Sequence, residues 1–454
     1  MDRSTLRHSA TFSPEVIEDI QVKAELGHLR IRGWGTLKRL PSLDDLTFVP
    51  SSLSRVPLEG YREKCSTRTV IGARHGAKPV ILQTPITITG MSYGALSRNA
   101  KVALGLAASR VGTSTTTGDG GMLAAERETS SLLVYQVLPS HYGFSIHDLR
   151  RADAIEICIG QEAKPGTGGV LLGEKVSAEI AAIRELPPGV DQRSPVRHPD
   201  WLGPDDLMIK IEELREACDG RLPIYIKIWA SRVADDVKLA CKAGADAIVL
   251  DGMEASTAAS PDMLMEHTAI PTMPAIVEAV EALRELGLMG EVQLIVSGGI
   301  RSGMDSAKAL ALGADAVSIG TAALIALNCN KPIYVDDYHA LGVEPYACHH
   351  CHTGRCPVGI TTQDPELVKR LEIEPAAERV TNLLNTMTME LQMVARACGK
   401  SDVHDLEPED LRALSIEAAI MSGCPLVGTE VNLRAVLNAL GGIVSGVNPG
   451  AYFR

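Results

Sequence analysis

Residues 294–321 read LIVSGGIRSGMDSAKALALGADAVSIGT. A short β-branched run ends in two glycines, an alanine-rich amphipathic stretch follows, and a second β-branched run ends in Gly320 and Thr321. Short apolar runs separated by a helical pattern are typical of parallel strands joined by a crossover helix. This stretch therefore predicts a βαβ unit whose two strands end at the same edge of a sheet.

The same rhythm recurs over most of the chain. Five earlier runs rich in β-branched residues lie at 85–92, 113–118, 154–160, 224–229 and 247–252. With the strands at 294–299 and 316–321 they make seven, and a weaker candidate at 187–196 makes eight. Eight parallel strands alternating with helices close naturally into an α/β barrel. The prediction is a (β/α)8 TIM barrel with ligands at the carboxyl ends of its strands.

Four segments are predicted along the chain. Residues 1–78 combine a short helix, capped at its start by Ser13, with an extended arm rich in proline and glycine. The barrel spans 79–328 and a cysteine-rich loop spans 329–363. Helices and a glycine-rich tail make up 364–454.

Composition narrows the class of function. The formal charge of −12 and the lack of a basic stretch argue against a nucleic-acid partner. No apolar run approaches the roughly 20 residues that span a bilayer. The N-terminal stretch MDRSTLRHSATFSPE has no apolar signal region, so the ten cysteines indicate free thiols or metal ligands rather than disulfides. We expect a soluble, cytoplasmic protein.

Glycines follow the last two predicted strands. Gly298, Gly299 and Gly303 come after the first of them, and Gly320 with Thr321 after the second. Loops at these places in a barrel commonly bind a phosphate through backbone N–H groups. Glycines also fill tight turns without any ligand, but a pair of such loops at the end of the barrel favours a phosphate-bearing cofactor.

The segment CHHCHTGRCPVGIT places Cys348, Cys351 and Cys356 close together. A structural zinc site normally takes two separated ligand pairs, so histidine would have to complete one here. A catalytic disulfide usually opens a helix after a strand, which this segment does not resemble. Cysteines with a proline after the last ligand suit an iron–sulfur loop. Three ligands favour a three-iron, four-sulfur (3Fe-4S) cluster, and a 4Fe-4S cluster would need Cys329, His349 or another donor.

Several long blocks resemble the FMN-binding glutamate synthase family. They are GMSYGALSRNAKVALGLAASRVGTSTTTGDGGM at 90–122, GQEAKPGTGGVLLGEKV at 160–176, and the segments 224–261 and 294–329, followed by CHTGRCPVGITTQ. The resemblance covers roughly residues 75–400 and implies a (β/α)8 barrel that carries FMN and a three-iron cluster. The family's cysteine pattern is C-x5-C-x4-C, and here the first cysteine stands three places closer.

Within this family, a separate FMN chain with an arm like residues 36–65 looks most like the C subunits of N-methylglutamate synthases, the methylamine–glutamate N-methyltransferases. That resemblance implies partner chains, namely a glutamine-amidotransferase-like subunit and a β-helical glutamate-synthase-like subunit, in a hetero-oligomer. The implied substrates are glutamate and methylamine or ammonia. Two alternatives stay open: a glutamate synthase-type subunit that reduces 2-iminoglutarate with external electrons, and an electron-relay or assembly subunit.

Two charged residues lie inside apolar runs. Lys227, in IYIKIW, either snorkels to the surface or points into the barrel mouth. The resemblance places this lysine beside flavin N1, where positive charge stabilises the reduced flavin. Glu156 lies in AIEICIG, and since a buried carboxylate needs a partner, we expect it to pair with Lys227.

The resemblance also implies the remaining site residues. Gln161 and Lys164 match polar residues near flavin and substrate, and with Lys227 and Glu156 they form the expected catalytic set. Three positions have a structural alternative: Lys164 as a solvated loop residue, Met91 as core, and Arg301 as a helix cap. The residues expected to contact the cofactor are Met91, Ser92, Tyr93, Gly94, Thr117, Lys227, Ser297, Gly298, Gly299, Arg301, Gly303, Gly320 and Thr321.

One loop departs from the family. The family pattern SGxxGGTGASP stands here as DGMEASTAASP at 251–261. Glycines in such a loop let the backbone lie close to its ligand, and Ala255 and Ser256 take up more room. The departure predicts altered substrate handling.

Overall fold

A computed structural model of the protein describes residues 9, 11–161, 164–257 and 259–445. Its centre is an eight-stranded parallel sheet. In chain order the strands are β1 (Ile86–Ile88), β2 (Ser114–Thr116), β3 (Leu132–Val137), β4 (Ala154–Cys158), β5 (Ile224–Trp229), β6 (Ala247–Asp251), β7 (Gln293–Ser297) and β8 (Ala316–Ile319).

The strands form a nearly closed barrel, which confirms the predicted fold class. Their order across the sheet is β1-β8-β7-β6-β5-β4-β3-β2. At the seam the Thr113 hydroxyl donates to the Ile86 carbonyl at 2.7 Å, next to the ends of β2 and β1. In the centre, Lys227 of β5 stands level with Cys158 of β4 and Val249 of β6.

Helices surround the barrel. One of them, Ile373–Ala397, packs against both Arg98–Val111 and Gly303–Ala311, and so completes the outer ring beyond the short helix that follows β8. The other α-helices are Pro14–Leu26, Ala124–Thr129, Ile146–Leu149, Ala178–Arg184, Pro204–Ala217, Val233–Ala243, Asp262–His267, Thr272–Glu285, Thr321–Ala326, Val335–Ala340, Pro365–Val368, Ile416–Ser422 and Leu433–Ser445. Short 3-10 turns lie at Leu43–Asp45, Gly173–Lys175, Cys351–Thr353, Val403–Asp405 and Pro408–Asp410.

A hairpin closes the amino-terminal end of the barrel. Its strands, Thr69–Ile71 and Val80–Leu82, pair antiparallel. Their buried side chains pack against the first apolar residues inside the barrel, among them Val134, Ala154, Tyr225 and Ala247. The hairpin therefore fills this end of the barrel, and the opposite end, where the strands finish, stays available to ligands.

The N-terminal segment is an extended arm, as predicted. Its first helix begins after Ser13, whose hydroxyl accepts a hydrogen bond from the Val16 amide. Further along, Ile31–Arg32 pairs with Ser260–Pro261 in the loop after β6, and Leu46–Phe48 pairs with the C-terminal strand Leu411–Ala413. These two pairings hold the arm across the carboxyl end of the barrel.

One predicted strand was wrong. In the stretch 187–196 the structure has only the two-residue strand Gln192–Arg193, which pairs with Val170–Leu171 outside the barrel. The missing barrel strand is β3, LLVYQV, which the prediction passed over. Because β3 was missed, the predicted run at 154–160, counted third along the chain, is the fourth barrel strand. Glu156 therefore lies on the fourth strand, and the loop at 160–176 follows that strand.

The C-terminal part is largely helical, but the helix Leu433–Ser445 includes the first ten residues of the predicted glycine-rich tail, which begins at Val436. The last nine residues of the predicted tail, 446–454, lie outside the described residues, and the segment boundaries given above stay a prediction. Among the helices that the structure describes, none is long and apolar enough to cross a membrane.

Candidate active site

A cavity of about 1600 Å³ opens at the carboxyl ends of the barrel strands. Its wall consists of strand ends, the loops that follow them and the N-terminal arm. Pockets for one small ligand commonly measure about 300–1,000 Å³. This cavity therefore has room for a cofactor together with a substrate.

Lys227 and Asp251 form a buried ion pair in the cavity wall. Lys227 Nζ lies 3.1 Å from Asp251 Oδ1 and donates to Thr89 Oγ1 at 3.3 Å. The Ser297 hydroxyl donates to the same oxygen of Asp251. Burial lowers the pKa of Lys227, but the charges of Asp251 and Glu156 raise it above its usual value. The cavity therefore holds an ammonium group that stays positive at neutral pH.

Glu156 lies beneath the lining residues of this cavity. It accepts a hydrogen bond from Gln136 Nε2 at 2.5 Å. Burial raises the pKa of Glu156, although the charge of Lys227 and the Gln136 hydrogen bond lower it. The expected ion pair of Glu156 with Lys227 is wrong, because Asp251 on the neighbouring strand occupies that position.

A buried lysine that the sequence argument missed fixes the segment after β1. Lys101 Nζ donates to the carbonyls of Met91 at 2.6 Å and Thr117 at 2.9 Å. It also pairs with Glu126 Oε1 at 2.5 Å. Met91 and Ser92 line the cavity, so Lys101 holds the wall in place from behind.

Three residues after β1 and β2 that were predicted to contact the cofactor, Tyr93, Gly94 and Thr117, lie behind the residues that line the cavity. The Tyr93 hydroxyl donates to Glu179 Oε2 at 2.7 Å, and the Thr117 hydroxyl accepts from the Gln136 amide at 3.0 Å. Gly94 has a φ of +109° in the same turn. These residues support the wall of the cavity.

The turns after β7 and β8 bring bare backbone to the far end of the cavity. The lining there includes Ser297, Gly298, Gly299, Gly320 and Thr321. Gly298 and Gly299 have φ values of +111° and +72°, which favour glycine. A Cβ on Gly298 would lie 2.6 Å from Thr272 Oγ1, and one on Gly320 3.0 Å from Thr89 Cγ2. Such turns fit the close approach of a phosphate.

Arg301 and Gly303, also predicted to contact the cofactor, lie near these turns, but only Arg301 lines the cavity. Arg301 lines the cavity, and its guanidinium donates to Asp44 of the arm at 2.6 Å and to Asp305 at 3.1 Å. Gly303 lies behind the turn, where a Cβ would stand 2.1 Å from the Met387 carbonyl. Gly303 therefore permits close packing of the long C-terminal helix.

Gln161 and Lys164, in the glycine-rich loop after β4, line another part of the wall. Burial lowers the pKa of Lys164, and the negative charge of Asp119 opposes that shift. Asp119, another lining residue that the prediction missed, accepts hydrogen bonds from the Ser140 and Ser194 hydroxyls, both at 2.6 Å. Lys164 of this loop and Asp119 of the segment after β2 therefore bring opposite charges close together around Gly169.

The N-terminal arm forms part of the cavity wall, a role that the sequence did not predict. Arg32 pairs with both Asp262 and Glu266. These two residues lie in the helix Asp262–His267, directly after the loop at 251–261 that differs from the family pattern. The Thr36 hydroxyl donates to Glu266 at 2.9 Å. Most of the arm residues from 33 to 45 then line the cavity. The arm therefore covers part of the cavity.

Four free cysteines gather at one end of the cavity. Cys351 and Cys329 line it. The Cys348 amide donates to Asn330 Oδ1 at 2.8 Å, and Asn330 Nδ2 donates to Cys329 Sγ at 3.7 Å. Burial, then the charges of Cys351, Cys356 and Cys348, raise the pKa of Cys329. The three predicted ligands and Cys329 therefore lie close to one another.

The spacing of these thiols fits a cluster better than one zinc ion. Burial, then the charges of Cys356 and Cys348, raise the pKa of Cys351 to about 12. In the described part of the chain, the only three metal-binding side chains with ligand atoms all within 4.8 Å lie elsewhere. Thiolates at about 2.3 Å from one zinc ion would be closer together than that. An iron–sulfur cluster, with a separate iron for each thiolate, accommodates wider spacing.

The cavity as a whole fits FMN. Its wall offers a fixed positive charge at Lys227, apolar contact at Met91, and bare backbone with hydroxyl groups after β7 and β8. A side chain at Gly298 would collide with Thr272 Oγ1 and the Gly252 carbonyl, so the turn keeps this shape only with glycine. The residues present therefore suit an aromatic ring system that carries a phosphate.

The fold defines a class of protein. Mandelate oxidase with (S)-4-hydroxymandelic acid superposes with a TM-score of 0.51 at 18% sequence identity, over 82% of this chain and 88% of that one. A flavocytochrome b2 variant with pyruvate bound superposes with a TM-score of 0.50 at 16% identity, over 89% and 85%. At these identities the likeness shows the fold alone, a (β/α)8 barrel.

Sequence comparison narrows the class to a family. The conserved region of glutamate synthase matches residues 38–401. The glutamate synthase large subunit-like protein of Rhizobium meliloti strain 1021 is 57% identical over 424 residues, which cover 93% of this chain and 96% of that protein. The archaeal glutamate synthase [NADPH] of Methanocaldococcus jannaschii is 37% identical over 415 residues, with coverage of 86% and 78%. This chain belongs to the glutamate synthase family, as its resemblance implied.

Proposed function

We propose that the protein is the FMN and iron–sulfur subunit of an N-methylglutamate synthase, which converts L-glutamate and methylamine into N-methyl-L-glutamate and ammonia. The observation that carries the proposal is that Lys227, the glycine turns after β7 and β8, and Cys351 all line the same cavity. In the net reaction one C–N bond to ammonia breaks and one to methylamine forms. No electrons are gained or lost overall.

Two cofactors belong to this proposal. Gly298, Gly299, Gly320 and Thr321 would hold the phosphate of FMN, with Lys227 near its ring. Bound FMN would supply reversible hydride transfer at the α-carbon, between glutamate and 2-iminoglutarate. The cysteines would hold the cluster, a 3Fe-4S form on Cys348, Cys351 and Cys356, with Cys329 available to a fourth iron.

The chain's own residues supply binding and electrostatics. Lys227 places a positive charge where negative charge develops during reaction, in a cavity that the arm partly covers. A dicarboxylate such as glutamate needs cations, and the wall offers Lys38, Arg39, Lys164 and Lys331. We assign these four residues to recognition of the two carboxylates.

Partner subunits are part of the proposal. The large chain of NADPH-dependent glutamate synthase from Bacillus subtilis strain 168 is 32% identical over 318 residues, which are 20% of its length. We propose that separate polypeptides, one amidotransferase-like and one β-helical, work with this chain in a hetero-oligomer. A test of activity therefore needs protein purified together with the chains that accompany it.

A second candidate function is supported by the names of the archaeal-type relatives, which are called glutamate synthase [NADPH] at 34–37% identity. In that reaction 2-oxoglutarate, ammonia, two electrons and two protons give L-glutamate and water. The electrons would come from outside, through the cysteine cluster. The two candidates therefore differ in their need for a reductant.

The test is an anaerobic incubation of the purified holoprotein with L-glutamate and methylamine, followed by mass spectrometry. We expect loss of the oxidised-flavin absorbance with glutamate alone, and N-methylglutamate when methylamine is added without reductant. An unchanged flavin spectrum and no N-methylglutamate would contradict the proposal. Formation of glutamate from 2-oxoglutarate and ammonia only with NADPH or ferredoxin would establish the second candidate.

A further inference from the structure

Two histidines and an aspartate meet beside the barrel mouth, outside the cavity described above. His141 lies in the loop after β3, and His198 and Asp200 lie in the segment before the helix Pro204–Ala217. One ligand atom from each of the three side chains lies within 4.8 Å of the others. His141 Nε2 and Asp200 Oδ1 are 3.7 Å apart.

His198 is held in the orientation of a metal ligand. Its side chain is 2% exposed, and its ring stacks on Trp201 with centroids 3.8 Å apart. Ring atom Nε2 lies 2.8 Å from the Cys158 carbonyl. Since a carbonyl only accepts hydrogen bonds, Nε2 carries the proton and Nδ1 has the lone pair. Metal-binding histidines characteristically donate their second ring nitrogen to such an acceptor.

The lone pairs of the cluster lack other partners among the described residues. His198 Nδ1 and His141 Nε2 are both buried without a hydrogen bond. Lys210 Nζ lies 2.7 Å from Asp200 Oδ2, which leaves Oδ1 facing His141. An ordinary ion pair between His141 and Asp200 would account for those two residues, but it leaves the buried Nδ1 of His198 unexplained. A bound cation satisfies all three groups.

We propose that His141, His198 and Asp200 bind a divalent transition-metal ion of the zinc type. Two imidazoles and a carboxylate suit such an ion, and a water molecule would complete four-coordination. Ligands of one zinc ion lie roughly 3–4 Å apart, so the loops need only a small closure. Asp200 is exposed and His141 half-buried, which gives the ion a path from solvent.

The proposed ion acts as a clamp. It ties the loop after β3 to the segment at 194–201. Through His198 it also fixes the Cys158 carbonyl at the end of β4, where the glycine-rich loop with Gln161 and Lys164 begins. This role is independent of which amine the protein uses. This site also differs from the cysteine site in its ligand atoms, because it contains nitrogen and oxygen but no sulfur.

The test is equilibrium dialysis of the cluster-loaded holoprotein against zinc chloride, with bound zinc measured by mass spectrometry and its ligands by X-ray absorption. We expect one zinc ion per chain with nitrogen and oxygen ligands at about 2.0–2.2 Å and no sulfur at about 2.3 Å. In His141→Asn, zinc binding should weaken at least about tenfold. Asparagine tolerates the φ of +53° at this position, so the variant should fold.

His147→Asn is the matched control. His147 is exposed on the nearby helix Ile146–Leu149, and its variant should bind zinc as the parent does. Asp200→Asn provides a second loss-of-ligand variant at an exposed position and should weaken zinc binding as His141→Asn does. Absence of zinc binding by the parent, binding through sulfur only, or equal binding by parent and His141→Asn would overturn the proposal.

Discussion

At the scale of single residues, charge inside an apolar strand was the most informative signal. Lys227 and Glu156 stood out because isolated charges are costly in a barrel core. Asp251 did not stand out, since polar residues commonly end strands, yet it is the direct partner of Lys227. Ion pairing across neighbouring strands depends on register, which the sequence of one strand does not contain.

Replacement of Lys227 tests the role of the positive charge. In Lys227→Met we expect turnover to fall by about 10²–10³-fold and the flavin reduction potential to drop, while FMN remains bound. The buried carboxylate of Asp251 also loses its partner, which costs about 3–5 kcal/mol of stability. Steady-state kinetics, a redox titration and denaturant unfolding measure the three effects.

The double variant Lys227→Met/Asp251→Asn is the control for stability. It should recover much of the lost free energy of unfolding but none of the activity, because it removes both charges. Full activity of Lys227→Met with FMN retained would instead favour an electron-relay subunit.

Glu156 gives a prediction about pH. Burial raises the pKa of its carboxyl in the folded protein, so between about pH 4.3 and that raised value the folded state binds more protons than the unfolded state. The Glu156 contribution to stability therefore falls as pH rises through this interval. Relative to the parent, Glu156→Gln should gain free energy of unfolding with rising pH, by at most about 1.4 kcal/mol per pH unit. Urea unfolding at several pH values measures the difference, and a difference that shrinks with pH would contradict this assignment.

At the scale of elements, seven of the eight barrel strands were predictable because glycines or polar turns separate them from their helices. Strand β3 escaped because it begins three residues after the helix Ala124–Thr129 with no glycine or proline between them. The stretch at 187–196, PPGVDQRSPV, was taken in its place as a weak candidate for the eighth strand that closes a barrel. Its pairing with Val170–Leu171 is a long-range contact that local pattern does not encode.

The turn after β7 gives a prediction at this scale. In Gly298→Ala the new Cβ meets Thr272 Oγ1 at 2.6 Å in a backbone with φ of +111°. We expect FMN affinity to fall more than about tenfold, together with a loss of about 1–2 kcal/mol of stability from the strained backbone alone. Flavin fluorescence titration and thermal unfolding measure the two quantities.

Gly290→Ala is the matched control for backbone strain. Gly290 has a φ of +80° but nothing within 4 Å of an added Cβ. This variant should lose a similar amount of stability and bind FMN as the parent does. If both variants bind FMN equally well, the turn after β7 does not hold the cofactor.

At the scale of the whole molecule, the barrel and the family were predictable from the sequence. The contacts by which the N-terminal arm and the C-terminal helices complete the barrel and its cavity were not. The arm reaches the cavity because Arg32 meets Asp262 and Glu266, which lie some 230 residues later in the chain. The long helix Ile373–Ala397 likewise completes the outer ring by packing against Arg98–Val111 and Gly303–Ala311, which lie far from it in the chain. Such contacts depend on tertiary packing, which the local sequence leaves open.

Iron content tests whether the cysteines at the end of the cavity bind an iron–sulfur cluster. Cys351→Ser should lose most of the bound iron, because Cys351 is one of three proposed ligands, while FMN stays bound. Cys241→Ser removes another buried free cysteine, in the helix Val233–Ala243, and should keep its iron. Iron and acid-labile sulfide analysis of both variants measures this, and an unchanged iron content in Cys351→Ser would contradict the cluster assignment.

The central claim is that this cavity binds FMN through the turns after β7 and β8. The most direct measurement is a fluorescence titration of flavin-stripped protein with FMN and, in parallel, with riboflavin. We predict one saturable site per chain for FMN and at least about tenfold weaker binding of riboflavin, because riboflavin lacks the phosphate that the glycine turns would hold. No saturable binding of FMN, or equal affinity for the two flavins, would contradict the account.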